Sequence, residues 1–564
     1  MRVSSGDRQW DLVFVDHDPE PEPLDHGAEV DLAASSPSIG PVVPRWLVLL
    51  LFAFVGLTPL AHAAAVLGEG WHPTGDDAII ALRAQDVGRG NLPLVGQPTT
   101  ADALKPGTPP SNHPGPLEYY LLAAPVALFG TRVGVMIGSA SIVSASFVAS
   151  LWLARRRGGP VLVGLVAVGL LLVARATGNT TLHDPWNADI AMFPMVLAVL
   201  TIWSMLDDDL GVAWVGVVAI SLAAQVHAAA AVALLPLAGL LGVVLLVAGV
   251  RAIRTWVDVG GRLPLPLMAS FGLGVLIWLP AVIHEFGPGP SNLRLLAGAG
   301  SAGVGVLTAM RWFPTAVAPV PLFVEARSDE FLRRPTTLSI LGGYFLVGLA
   351  GTLGLVSRFL RRDSAHLLWV AVVAFAAGCL LVAADTPPSM LLRPDLFRWM
   401  WVMSLVCWLA LAWSLWNLLP LARLVRTPTA LVLACGLLVA ALSITAVATA
   451  DVAHERDGRL TTEIGRLADQ IRAQNAPGRY LLRVSDGPSY TVAPALMAEL
   501  GTRGVTALID VGPFGNAYHR SRKWHGERVR ALLRLTMTPD PGARVIGSVS
   551  SGSSLIVVEQ SRFP

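Results

Sequence analysis

Two adjacent carboxylates, Asp76 and Asp77, follow the first long apolar run, in the segment GDDAIIALRAQDVGRGNLPL. At helical spacing Asp76, Ile80, Arg83 and Val87 share one face, and Asp77 points about 100° away. Such a pair can cap a helix and favour its positive end. One of the two can equally serve as a general base at a bilayer surface, taking a proton from a hydroxyl. Further along, SNHPGPLEYYLLAAPVALFG sets His113 before a rigid Pro114-Gly115-Pro116 turn. Tyr119 and Tyr120 then begin an apolar stretch and suit an aromatic belt. HDPWN contains His183 and Asp184 and reads as turn chemistry, an Asp-Pro helix start followed by an interfacial tryptophan. Arg393 and Arg398 flank a short loop, where long side chains can snorkel to headgroups, and Arg294 opens a longer one. No HExxH motif and no Cys/His cluster with zinc spacing occurs. The acidic pair Asp76 and Asp77 is the one place that could hold Mg²⁺ or Mn²⁺.

These residues need elements to position them, and the composition says which kind. Of 564 residues, 53% are hydrophobic and 14% charged, with a mean hydropathy of +0.59. A soluble globular chain carries roughly 25% charge. The deficit lies in runs long enough to cross a bilayer core about 30 Å thick. The expected spans are roughly 46–67, 132–154, 159–176, 187–206, 210–226, 228–249, 264–283, 337–357, 365–384, 397–419 and 429–450. The fold class is therefore mainly α, a polytopic helical membrane protein with about eleven spans. The stretch 115–130 is short and interrupted by proline, which predicts an interfacial helix. Intrinsic disorder of the whole chain, a soluble enzyme and a secreted disulfide scaffold are excluded. A net charge of +2 gives no reason to expect nucleic acid. Cys379, Cys407 and Cys435 all fall within apolar runs and read as small buried hydrophobes.

Residues 1–44 hold nine acidic and two basic residues among prolines and are expected to be a disordered, solvated tail. With two lysines against 39 arginines, orientation rests on arginine. Arg155–Arg157, Arg251, Arg254, Arg358, Arg361, Arg362, Arg423 and Arg426 fall on alternate turns, which places them and the N-terminus in the cytoplasm. The long loops 68–131 and 284–336 then lie outside, with the C-terminus. Membrane domain 45–450 gives way at 451–564 to returning charge and short apolar runs. RYLLRVS, TALIDVG and SSLIVVEQ read as strands between helices at 455–475 and 491–501. That pattern predicts a small extracytoplasmic α/β domain.

An acidic pair just after the first span, followed by a histidine, a proline pair, two tyrosines and LFG, resembles the GT-C class of membrane glycosyltransferases. The nearest pattern is that of the protein O-mannosyltransferases and lipid A aminoarabinose transferases. DDAIIALRAQDV fits the first-loop pattern of that group without a gap, so that Asp76 falls on its catalytic aspartate and Asp77 on its glutamate. His113 falls on its lysine or histidine, and Tyr119 and Tyr120 on its tyrosines. Asp77 stands where the family has glutamate, Ile80 replaces a tyrosine, and PGPLEYY carries one inserted residue. SLAAQVHAAAAVALLPLAGLL looks like a later family segment, with Gln225 or His227 near its lysine. DLFRWMWVMSLV places Arg398 on the arginine that opens a late span.

The resemblance implies transfer of a sugar from a polyprenyl-phosphate donor to a glycan, glycolipid or protein acceptor outside the plasma membrane. Asp76 would be the base and Asp77 its positioning or metal-binding partner. His113, Arg398, Arg393, Lys105 and Arg294 are candidates for the leaving phosphate. Arg83, Tyr119, Tyr120, His183, Asp184, Gln225 and His227 are candidates for substrate contact. A single in-line displacement would invert the anomeric centre. The rival classes are a scaffold of envelope assembly that keeps the fold without catalysis, and a lipid or solute transporter. Ionisable residues crowd the ends of the spans rather than their middles, which favours chemistry at a surface.

Overall fold

The computed structural model describes residues 43–99, 110–259, 264–298, 303–317, 321–324, 337–361, 364–390, 394–418, 428–487, 489–510 and 515–561. The acidic tail, Lys105 and Arg393 lie outside the described residues. Helix α1 (Arg45–Gly68) leads to α2 (Gly75–Gly88) and α3 (Leu117–Ala176). There follow α4 (Asn187–Leu206), α5 (Ala213–Val226), α6 (Ala228–Val259) and α7 (Leu265–Phe286). Two short helices, α8 (Asn292–Gly298) and α9 (Val306–Trp312), precede α10 (Thr337–Arg361), α11 (Ala365–Asp385), α12 (Trp399–Leu418) and α13 (Pro428–Ala448). Among the described residues nine helices, α1, α3, α4, α6, α7 and α10–α13, are long and apolar enough to cross a membrane.

The count of nine takes α3 as one element; its backbone is non-helical at Gly130 and Gly159, so the expected interfacial helix and the expected spans 132–154 and 159–176 are successive helical segments of it. Both glycines take positive φ, 77° and 64°, where a side chain would be strained, and Pro160 then starts the next helical segment with its fixed φ. The expected span 210–226 is α5, only 14 residues long. Helix α4 is buried almost all round, including Phe193, Met195 and Trp203, so it runs through the middle of the bundle. Helices α7 and α10 instead show Phe271, Leu276, Leu341 and Phe345 on their outer faces, as lipid-facing helices do.

Beyond α13 the chain forms α14 (Gly458–Gln474), β1 (Gly478–Val484), α15 (Ser489–Thr502), β2 (Val505–Ile509), β3 (Leu532–Thr536), β4 (Arg544–Ser551) and β5 (Ser554–Ser561). The sheet runs β2-β1-β3-β5-β4. Strand β1 lies parallel to β2 and β3, and β5 lies antiparallel to β3 and β4. It is a mixed sheet. Strands β3 and β4 were not expected from the sequence. The edge strand β4, RVIGSVSS, interrupts its apolar positions with glycine and serines, and its register breaks between Val545 and Gly547.

Helix α2 belongs to two cores at once. Its Ala78 and Leu82 pack with Leu460, Ile464, Val492 and Leu496 of the sheet domain. Its Ile80, Ala81 and Ala84 pack with Trp71, Tyr119, Leu122 and Met136 of the membrane bundle. Polar contacts reinforce the seam: Glu499 accepts from the His72 ring at 2.8 Å, and Arg522 Nε donates to Asp86 at 2.9 Å. Helix α2 and the sheet domain are thereby packed together.

Candidate active site

The two carboxylates occupy the first turn of α2, after Thr74 as the preceding extended residue. Neither aspartate is itself the N-cap. Asp76 is exposed and Asp77 buried, as their 100° separation on the helix requires. Each has a different partner. Trp186 Nε1 donates to Asp76 Oδ2 at 3.2 Å, and Gln97 Nε2 donates to its backbone carbonyl at 2.9 Å. Arg456, from the turn between α13 and α14, donates to Asp77 Oδ1 at 2.5 Å and to Asp184 Oδ1 at 3.3 Å. The Arg456 guanidinium also lies 4.4 Å from the centre of the Trp186 ring, within cation–π range.

Trp186 is therefore the residue on which the site turns. Its backbone N–H is held by Asp184 Oδ1 at 2.8 Å, the turn that Asp-Pro-Trp predicts. Its ring faces Arg456 on one side, and Arg398 lies 6.0 Å from its centre. Arg398 pairs with Asp189 through Nε and Oδ1 at 2.6 Å, while its Nη1 has no hydrogen-bond partner among the described residues. Behind these groups His183 stacks on His62, with ring centres 4.9 Å apart, and its Nε2 meets Glu455 at 3.3 Å.

A polar cavity of about 570 Å³ is lined by His62, Asp184, Trp186, Asp189, Arg398, Glu455 and Arg456, among others. Asp76 and Asp77 are not part of that lining; they adjoin it through Trp186 and Arg456. The electrostatics follow from burial. Burial pushes the Asp77 carboxyl well above its usual range; Arg456 opposes that, while Asp184 and Asp76 add to it. Burial alone would lower Arg456, but Asp184, Asp77, Asp76 and Asp189 around it reverse the effect and raise it. For His183 burial again lowers, and Glu455, Asp184 and Asp189 more than compensate, so the ring is raised. One cationic arginine thus serves several carboxylates, the arrangement expected where charge must be held out of water.

The other residues singled out in the sequence lie elsewhere. His113 is buried, accepts from the Ala228 backbone N–H at Nδ1 (3.0 Å), and meets the Asn187 amide at Nε2 (2.6 Å). Burial, and then His227 with its ring 5.3 Å away, push its pKa well below the ordinary value. Both ring nitrogens of His113 are engaged within the protein, and the residue does not line the polar cavity. Gln225 accepts from Leu117 N–H at 3.2 Å and donates to Ile277 at 3.1 Å. A β-carbon on Gly115 would come within 2.2 Å of the Gln225 amide oxygen, so glycine is required in that turn. Tyr119 is buried beneath Arg83, and Tyr120 donates to the Pro93 carbonyl at 2.9 Å. Gln225, His227 and the two tyrosines thus shape the first loop rather than line the cavity. Arg294 is exposed on α8, away from the cavity lining.

His113→Ala should therefore act on stability. It leaves the Ala228 N–H and the Asn187 amide unsatisfied in a buried place, a loss of about 1–3 kcal/mol. Thermal unfolding in detergent should show the lowered midpoint.

Sequence reasoning missed His62, Asp189, Glu455 and Arg456. The run HERDGR directly after the last apolar stretch was the available signal for Glu455 and Arg456. Among the described residues no group of three or more His, Cys, Asp or Glu is placed to hold a metal ion. Asp77 already has a cation in Arg456, so the pair does not fit the Mg²⁺ or Mn²⁺ site considered from sequence.

No protein-family model matches the sequence, and no curated protein matches it. Among solved structures the chain is similar to ArnT from Cupriavidus metallidurans in the apo state, at 16% identity and a TM-score of 0.38, covering 91% of this chain and 98% of that one. It is also similar to the Archaeoglobus fulgidus oligosaccharyltransferase in complex with Zn and sulfate. There the identity is 12% and the TM-score 0.39, covering 86% of this chain and 68% of that one. Both likenesses extend over most of this chain.

Proposed function

We propose that the protein is a membrane glycosyltransferase that moves a sugar from a polyprenyl-phosphate donor to an acceptor hydroxyl outside the cytoplasm, with inversion. In this reading it spans the plasma membrane with its N-terminus inside and its C-terminal domain outside. The observation that carries the proposal is that two cavities are lined by consecutive residues at one end of the bundle. An apolar groove of about 500 Å³ runs between α1 and α13, past Phe54, Leu57, Ala61, Ile444, Val447 and Ala448. The polar cavity begins at the next residues of both helices, His62 and Thr449. A lipid chain in the groove would deliver its phosphate to Arg398 and Arg456, which line the polar cavity.

The chemistry then follows from the charges. The acceptor hydroxyl gives its proton to Asp76, which Trp186 orients. The freed oxygen attacks the anomeric carbon from the face opposite the phosphate. The bond from that carbon to the phosphate oxygen breaks, and the leaving phosphate takes the electron pair beside Arg398 and Arg456. Fixed cations at that point act where charge develops. Asp77 keeps Arg456 in place and takes no proton itself.

Incubating membranes containing the protein with radiolabelled polyprenyl-phosphate sugars tests the reading. Transfer should depend on the protein and on the lipid carrier. A folded protein that transfers from no lipid-linked sugar, or uses nucleotide sugars instead, would defeat it. Arg398→Lys keeps a charge beside Asp189 but loses the fork, and should weaken polyprenyl-phosphate binding roughly tenfold, about 1.4 kcal/mol, within the range for a charged hydrogen bond. Arg155→Ala, at an exposed position of α3 that lines neither cavity, should leave it unchanged. Equal loss in both would point to damaged insertion instead.

A further inference from the structure

Behind Trp186, three titratable side chains from distant parts of the chain form a line. Glu455 Oε2 lies 3.3 Å from His183 Nε2, and His183 Nδ1 lies 3.1 Å from His62 Nδ1. His183 and His62 are buried, and the Glu455 side chain is only 7% exposed. Both ends of the line belong to the polar cavity, since His62 and Glu455 each contribute to its lining. With Nδ1 turned to His183, His62 has Nε2 left for that cavity, and no described residue pairs with this nitrogen. On α1, His62 directly follows Ala61, the last residue of that helix on the apolar groove. A phosphate carried by a lipid in the groove would meet the His62 ring at the edge of the cavity. Arg398 and Arg456 also line the cavity but, as arginines, hold no proton they can give up. Asp451 and His454 sit on its exposed rim, apart from the line, and water reaches the cavity there.

We propose that His62 is the general acid of the transfer, giving the leaving phosphate a proton through Nε2, with His183 and Glu455 as positioning residues that hold and resupply it. The inference rests on the glycosyl-transfer reading and adds a second proton transfer to it. In the loaded line His183 carries protons on both nitrogens, Nε2–H toward Glu455 and Nδ1–H toward His62. Neutral His62 then has its own proton on Nε2. When the bond from the anomeric carbon to the phosphate oxygen breaks, that oxygen keeps the electron pair. The Nε2 proton of His62 passes to the phosphate, and the Nδ1 proton of His183 passes to His62. The phosphate leaves singly charged, and His183, now neutral, still donates to Glu455. Asp76 meanwhile holds the acceptor's proton, and water restores both groups afterwards. The surrounding charges favour the loaded form: burial lowers His183, but Glu455, Asp184 and Asp189 outweigh it. A phosphate monoester has its second pKa at about 6, close to that of an ordinary imidazole, so the two are matched for proton exchange.

The test follows transfer by the full chain in membranes from a radiolabelled polyprenyl-phosphate sugar, at saturating donor and across about pH 5–9, which spans the imidazole range. Binding of sugar-free polyprenyl phosphate is measured beside it, to show that each variant is folded. In the wild type kcat should fall on the alkaline side, where the line gives up its proton. His62→Gln keeps a polar side chain at the cavity but cannot relay a proton. Its kcat should drop by about 10²-fold and its alkaline fall should vanish, while KM for the donor changes little. Glu455→Gln can still accept from His183 but removes the charge that raises it, so the alkaline fall should move to lower pH without disappearing. A purely structural line would lower the rate and leave the shape of the profile in place. That result in either variant, or a wild type with no alkaline fall, overturns the proposal and leaves the transfer reading standing. If His62→Gln fails to bind polyprenyl phosphate, the position of the alkaline fall in Glu455→Gln decides alone. Absence of transfer by the wild type would instead strike the glycosyl-transfer reading, and this proposal with it.

Discussion

Asp76→Asn should abolish most transfer while leaving the protein intact. The substitution keeps the side chain's size and an oxygen for the Trp186 indole, which donates to it at 3.2 Å. It removes only the capacity to accept a proton near neutral pH. Thr74, not Asp76, precedes the first helical residue of α2, so no cap is lost, and the missing negative charge near the helix start costs about 0.3–1 kcal/mol. Transfer should fall by roughly 10²–10⁴, the contribution of a positioned acid–base group. The unfolding midpoint should stay within a few degrees of wild type. A lipid-linked sugar assay on purified protein separates the two readings of the pair. Wild-type transfer by the Asp76→Asn variant would leave Asp76 with a merely electrostatic part at the helix end.

Arg456→Met should do the opposite, damaging stability first. It strips the buried Asp77 of its partner; because the Arg456 side chain is 31% exposed, the loss is smaller than for a fully buried pair, on the order of 1–3 kcal/mol. The pH dependence has a definite sign. Asp77 already has a folded-state pKa raised by burial, and removing Arg456 removes the main opposing influence. The folded protein then binds a proton that the unfolded chain has released. Its stability is fullest below the ordinary carboxyl range and declines as pH rises toward the raised value. The variant should therefore melt higher at pH 5 than at pH 8. Adding Asp77→Asn should recover most of the lost stability, because no charge is then stranded. Transfer should remain low, since the cation beside the leaving phosphate is still missing. Independent, additive effects of the two substitutions would show that Asp77 and Arg456 do not act as a pair.

What could be read from sequence was what is local in sequence. Apolar runs announce membrane helices because hydropathy is a property of one segment at a time. The break at Gly159-Pro160 was legible too, because both residues act on their own backbone, whereas the shortness of α5 was not. Asp76, Asp77 and Arg398 stood out as charges at the mouths of apolar runs, and Asp184 through the turn chemistry of Asp-Pro-Trp. Trp186 read as an interfacial anchor, since nothing in HDPWN tells that its indole meets a carboxylate 110 residues earlier. His113 looked like a charged group in a loop. Only the fold shows the Ala228 N–H and Asn187 closing on its two nitrogens. Arg456 was illegible as a site residue because its partner is 379 positions away, with every described span but the first in between. Asp86 is buried between Arg83 and Arg522, and the second of these partners lies 436 positions away, beyond any local pattern.

The sharing of α2 between two cores also sets a timetable for biosynthesis. At about 5–20 residues per second, the 379 positions from Asp77 to Arg456 correspond to roughly 20–75 s of translation. Throughout that interval Ala78 and Leu82 have no sheet domain to pack on, and Asp77 has no guanidinium. The nascent chain must hold its first loop in an unfinished, protease-accessible form until the ribosome nears the end. Chains that terminate early would carry inserted helices but no completed site. A cell would thus recognise incomplete copies by an open first loop, and catalysis would begin only with the full-length product.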